Sequence, residues 1–142
     1  MNDVIRSIFG GEQADVRNLV KVAFAEGNID ESDVDYLNKE LQNLKISEKQ
    51  VKTSKTSISS LKKKLPHDPF RIYKLIYKIT KKMMSTNMLT DRKESLLRRL
   101  MSVFVKNVQS TTELILFLKY NIRYGNSIED SYSRLGYLLQ ST

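Results

Sequence analysis

The sequence predicts an all-α fold: a single-domain helical bundle of six to eight helices, built on two helix-hinge-helix repeats. Three observations predict it. Apolar residues recur at three- and four-residue spacings along most of the 142 residues, and no run alternates apolar and polar as a half-buried strand would. Glycine, proline and Ser/Thr/Asp caps punctuate those runs at helical lengths. Finally, Glu26-Gly27-Asn28-Ile29-Asp30-Glu31-Ser32-Asp33 returns sixty positions later as Thr86-Asn87-Met88-Leu89-Thr90-Asp91-Arg92-Lys93. The same shift pairs Val16 with Ile76, Leu19 with Ile79, Ala23 with Met83, Leu37 with Leu97, Leu41 with Met101 and Leu44 with Phe104, as an internal duplication would.

The elements follow in order. Val4, Ile5, Ile8 and Phe9 mark a short N-terminal amphipathic helix in residues 1–11, ended by Gly10-Gly11. The rest, 12–142, holds repeat one (about 12–52), a segment at 53–60 expected to be flexible, repeat two (about 69–108) and C-terminal helices over 112–140. In repeat one a helix from about Glu12 to Glu26 carries Val16, Leu19, Val20, Ala23 and Phe24 on one face. Gly27 then supplies the left-handed turn residue and Asp30 the cap of a second helix, about Glu31 to Leu44. Ser47-Glu48-Lys49-Gln50 fits a capping box and a brief further helix. Thr53 to Ser60 is Ser, Thr and Lys with one apolar residue, the least ordered composition in the chain.

Repeat two opens at Asp68-Pro69, a cap followed by proline at the first helical position, where its missing N–H costs nothing. On the helix from Pro69 to about Ser85, Ile72, Ile76, Ile79 and Met83 fall within about 60° of one another, with Lys74, Lys78 and Lys81 opposite and Lys82 on the flank. Asn87 takes the hinge place of Gly27, and Thr90 the capping place of Asp30. Helices over about Asp91 to Val108, Thr112 to Arg123 and Ile128 to Leu139 complete the chain, with Gly125 and Ser127 separating the last two.

Composition removes several function classes. There is no cysteine, hence no disulfide, thiolate metal site or cysteine nucleophile. The one histidine, His67, sits between Pro66 and Asp68 as a solvated loop residue. No segment reaches the roughly 18–20 apolar residues of a transmembrane span, and no secretory leader pattern opens the chain, so a cytoplasmic protein is expected. The net charge of +8 conceals an asymmetry. Residues 1–51 carry six Lys/Arg and ten Asp/Glu, residues 52–109 fifteen and three, and residues 110–142 three and three. The duplication therefore kept the hinge and exchanged its charge, leaving an acidic first repeat and a basic second one.

The stretch from Leu19 through Gly27-Asn28-Ile29-Asp30 to Leu37 resembles the repeat signature of TerB-like proteins, the tellurite-resistance group that also includes the helical domain of a DnaJ-like membrane protein. There an apolar helix leads to Ala-Asp-Gly-x-Ile and an acidic helix start with Glu four residues on. Leu44-Lys45-Ile46-Ser47 is similar to the family's Leu-Gly-Ile-Ser. The likeness covers about residues 12 to 108 and implies a divergent member, a paired-repeat helical fold, and work in stress response or defence. It also implies an acidic, metal-binding loop surface, of which half is lost. Glu26 replaces the hinge Asp and Asp33 the Glu, while Thr86, Asn87 and Lys93 stand at the corresponding places of the second copy.

Three functional readings follow. An EF-hand is excluded by register: with Gly27 at loop position 6, positions 1 and 3 are Val22 and Phe24, which lack oxygen ligands. Glu26, Asp30 and Asp33 are left as a weak divalent-cation contact, set against capping and helix-dipole roles, and no other cofactor is expected. Lys62, Lys63, Lys64, Lys74, Lys78, Lys81, Lys82, Arg92, Arg98 and Arg99 form the candidate binding surface, for an acidic protein partner or for nucleic acid, with Tyr73 and Tyr77 as stacking residues in the latter case. Tyr120, Tyr124, Tyr132 and Tyr137 read as packing residues with hydroxyls reaching solvent. No phosphate-binding glycine loop or catalytic constellation is present, so the leading expectation is a non-enzymatic protein-interaction module of undetermined oligomeric state.

Overall fold

The computed structural model describes residues 11–41, 58–84 and 89–140, and the side chains of 13–41, 58–84 and 89–135. The expected helix at Val4–Phe9, the capping box at 47–50, Thr86, Asn87 and the Tyr137 side chain lie outside these residues. The described residues form seven helices and no strand: α1 Gly11–Ala25, α2 Glu31–Glu40, α3 Ile58–Lys64, α4 Pro69–Met84, α5 Asp91–Met101, α6 Val108–Arg123 and α7 Ile128–Gln140. The fold is all-α. The chain divides into two compact units, Met1–Pro66 and His67–Thr142, so the boundary falls between the two repeats.

In the first unit α1 packs against α3 and α2. The contact buries Leu19, Val20, Val22, Ala23 and Phe24 of α1, Val34, Leu37 and Leu41 of the second helix and its cap, and Leu61 of α3. Each fully buried Leu or Ile contributes roughly 1.5–3 kcal/mol over its exposed state. α3 occupies ground where a flexible segment was expected. Ile58–Ser60 are helical: Ile58, Leu61 and Leu65 keep a three- and four-residue spacing, with Leu61 and Leu65 buried, that three consecutive lysines obscure in the sequence.

In the second unit α4 is the central element and packs against α5, α6 and α7. Having neighbours on more than one side explains why α4 buries Tyr73, Leu75, Tyr77 and Thr80 in addition to Ile76, Ile79 and Met83. Its start matches the Asp68-Pro69 expectation: the Arg71 N–H donates to Asp68 Oδ2 at 3.1 Å. Two helix limits differ from expectation. α5 ends at Met101 rather than near Val108, and α6 begins at Val108 rather than Thr112. The break is capped by Asn107, whose Oδ1 accepts the Ser110 N–H at 3.2 Å.

Burial supports the duplication. Leu19 and Ile79, Ala23 and Met83, Leu37 and Leu97, and Leu41 and Met101 are all buried at their paired positions.

Candidate functional site

The first hinge is a helix stop followed at once by a helix start. Gly27 has φ +82°, the Gly27 N–H donates to the Phe24 carbonyl at 3.0 Å, and the Asn28 N–H donates to the Ala23 carbonyl at 2.8 Å. These are the two bonds of a Schellman stop. Asp30 then caps α2. Its Oδ1 accepts the Asp33 N–H at 2.9 Å, while Asp33 Oδ2 accepts the Asp30 N–H at 3.0 Å, closing a reciprocal capping box. The Asp33 amide, and after it the Ser32 hydroxyl at 2.8 Å, hold the Asp30 carboxyl below its ordinary value of 3.8.

Those bonds define what the three acids do. Asp30 and Asp33 are turned onto each other's backbone, and Glu26 Oε2 sits 2.6 Å from Lys62 Nζ of α3. Among the described residues no group of three or more His, Asp or Glu side chains is placed to hold a metal ion. Lys62, one of the candidate binding cations, serves as the counter-charge that ties the hinge to α3.

At the second hinge Thr90 caps α5, its Oγ1 accepting the Lys93 N–H at 3.2 Å. Lys93 itself is buried, 5% exposed, and its Nζ donates to the Met83 carbonyl at 3.0 Å. A cation there satisfies a carbonyl of the last turn of α4 and opposes the negative end of that helix dipole. Asp33 and Lys93 occupy paired positions with near-equal burial and opposite charge, and each is tied to backbone at one end of a hinge helix.

The cationic surface of the second unit lies on α4 and α5. α4 carries Arg71, Lys74, Lys78, Lys81 and Lys82 and no acidic residue. Arg71, Lys81 and Lys82 are exposed, and Lys74 and Lys78 half-buried. Arg71, Lys74, Lys78 and Lys82 follow a three-four-four spacing and form one stripe. Arg71 was missed from the sequence because it follows the helix start directly, although this spacing marks it as a member. On α5, Arg92 and Arg98 are exposed; Arg98 reaches Glu94 at 3.9 Å, and the Arg99 Nε–H donates to the Ser95 carbonyl at 3.3 Å. Lys62, Lys63 and Lys64 are exposed on α3 of the other unit.

The tyrosines overturn one expectation and half of another. Tyr73 and Tyr77, expected as stacking residues, are buried at 0% and 5% exposure. The Tyr73 hydroxyl donates to Ser131 Oγ at 2.7 Å and that of Tyr77 to the Asn126 carbonyl at 2.7 Å, so both rings are core residues with a satisfied polar end. Burial pushes the Tyr73 hydroxyl up to about 12 against the Ser131 bond, and raises that of Tyr77 with help from the Glu129 charge. Tyr132 packs as expected, edge-on to Phe70 with centroids 5.0 Å apart. Tyr120 and Tyr124, in contrast, are exposed and lean on each other at 4.6 Å.

No family model, curated protein or solved structure matches the chain. No described helix is long and apolar enough to cross a membrane.

Proposed function

We propose that the chain is a non-enzymatic cytoplasmic interaction module that grips an acidic protein through the cationic face of α4, extended by Arg92 and Arg98 of α5. One observation carries this reading: α4 holds five cations and no acid. Lys74 and Lys78, and Lys78 and Lys82, are like-charge pairs four residues apart, and such pairs destabilise a helix by a few tenths of a kcal/mol each. A row of like charge of this kind is complementary to a partner that supplies carboxylates. The commitment of Asp30 and Asp33 to backbone caps and of Glu26 to Lys62 supports the non-enzymatic part of the reading. The resemblance to TerB-like proteins adds stress response or defence as the setting.

The nucleic-acid reading loses its aromatic component, because Tyr73 and Tyr77 are buried and hydrogen-bonded. The two readings separate in a titration at about 0.15 M salt with a Glu-rich peptide and with an oligonucleotide of matched charge. The proposal expects the peptide to bind and the triple variant Lys74→Glu/Lys78→Glu/Lys82→Glu to lose it. Peptide binding unaffected by the triple variant, or oligonucleotide binding alone with the steep salt dependence of phosphate contacts, would overturn it.

A further inference from the structure

α6 has two faces of different character. One buries Thr111, Leu114, Ile115, Leu118 and Asn121 in the second unit. The other presents Gln109, Glu113, Leu116, Tyr120 and Arg123, all exposed, at spacings of four, three, four and three residues. That alternation is the spacing of a coiled-coil seam, which keeps side chains in line along one side of a helix. Its centre is apolar: Leu116 is 56% and Tyr120 57% exposed, and Tyr124, 67% exposed, widens the patch by leaning on Tyr120. That centre is flanked by charges of opposite sign, Glu113 before it and Arg123 after it.

We infer that this seam pairs with the same seam of a second copy of the chain, antiparallel, about a two-fold axis level with Leu118. The charges select both occupant and direction. In an antiparallel pair the seam residues meet in mixed layers, so Leu116 of one copy meets Tyr120 of the other, and Glu113 meets Arg123. Each of those contacts occurs twice, as an isologous interface requires. A parallel pair would set Glu113 against Glu113 and Arg123 against Arg123, leaving both seam ends repulsive. The Gln109 side-chain amide, donating to Glu113 Oε1 at 3.1 Å, holds that carboxylate on the seam side. Arg123 has no ion-pair partner among the described residues. Helices meeting in this way cross at about +20°.

The size of the face sets the strength. A 16-residue helix is about 24 Å long, and one such face covers less than the roughly 800 Å² per partner of a standard interface. A contact of that size falls in the class of weak, transient interfaces.

The test is sedimentation of the full chain over a concentration series reaching about 1 mM. Wild type is expected to pass from monomer to dimer, and Arg123→Glu and Glu113→Arg each to remain monomeric. An equimolar mixture of those two variants is expected to form dimers again, because only the mixed pair sets unlike charges together at both ends. Both substitutions are at exposed positions, and an unchanged helical circular dichroism spectrum establishes that each variant is folded. A wild type that stays monomeric throughout would overturn the inference, as would single variants that associate like wild type or a mixture that remains monomeric.

Discussion

The hinges at Gly27–Asp33 and Leu89–Lys93 invite comparison because they begin from one pattern and are held by opposite charges. In the first, buried Asp33 accepts the Asp30 N–H at the start of α2. In the second, buried Lys93 donates to the Met83 carbonyl at the end of α4. A hinge between two helices exposes donors at one helix start and acceptors at the preceding helix end, and either sign of charge at one buried position satisfies part of that demand. Exchanging acid for lysine therefore changed which helix is anchored while keeping a hinge. The second repeat thus has a lysine where the first has an acid, in line with its cationic surface.

The largest effect is expected from forcing one hinge to use the other's charge. Lys93→Asp leaves the Met83 carbonyl without its cation and buries a carboxylate beside a helix C-terminus, at a cost of roughly 3 kcal/mol in urea unfolding. Lys93→Met, which removes the charge without reversing it, is expected to cost clearly less. Equal effects from the two substitutions would show that the charge of Lys93 does not matter to the hinge.

Next in size are the caps. Asp30→Ala is expected to cost about 1 kcal/mol, and Thr90→Ala somewhat less because Thr90 has no reciprocal partner in its own box. Gly27→Ala is expected to cost about 1 kcal/mol as well. Nothing lies within 4 Å of an added Cβ there, so the cost comes from the positive φ and not from a clash. Gly27→Asn, which tolerates that conformation better, should recover part of it. If alanine and asparagine cost the same, the left-handed turn is not the source.

The pH dependence separates the hinges more gently. Asp30 has a folded value below its ordinary 3.8, so the unfolded chain binds the proton more readily. Its contribution is complete above that value and is lost as pH falls through the lower folded one. Thr90 has no such dependence. Asp30→Asn should accordingly flatten the fall of the urea midpoint below about pH 4, while Thr90→Ala leaves its slope unchanged. At the alkaline end Tyr73, raised to about 12 by burial, favours the folded chain below pH 10.0 and loses that contribution as pH climbs towards 12. Tyr73→Phe should lessen the alkaline fall, leaving the share of Tyr77, and also removes the Ser131 bond.

Much of the fold could be read because caps and periodicity agreed. Asp68-Pro69, Asp30, Thr90 and Ser127 begin helices as their chemistry requires; the Asp130 N–H donates to Ser127 Oγ at 3.0 Å. The break between α5 and α6 was hidden because Leu97, Leu100, Met101, Phe104, Val105 and Val108 continue a three- and four-residue spacing across it. Periodicity records which residues are apolar and not where the backbone turns. The fates of Tyr73 and Tyr77 were illegible for a different reason. They flank the apolar stripe of α4, and only the packing of α6 and α7 on that helix decides that they face inward. The burial of Lys93 could not be read either, since a lysine reads as surface and its burial depends on a carbonyl ten residues earlier. The seam on α6 could be counted from the sequence, but its exposure could not.

The smallest change in stability bears on the central claim, that the cationic face of α4 serves a partner rather than the fold. Lys74→Glu places an acid four residues before Lys78 and three after Arg71, the arrangement that stabilises a helix by a few tenths of a kcal/mol per pair. Measured on one preparation, the variant is predicted to unfold at slightly higher urea than wild type while binding a Glu-rich peptide several-fold more weakly. Peptide binding that stays unchanged, or stability and binding that fall together, would contradict the account.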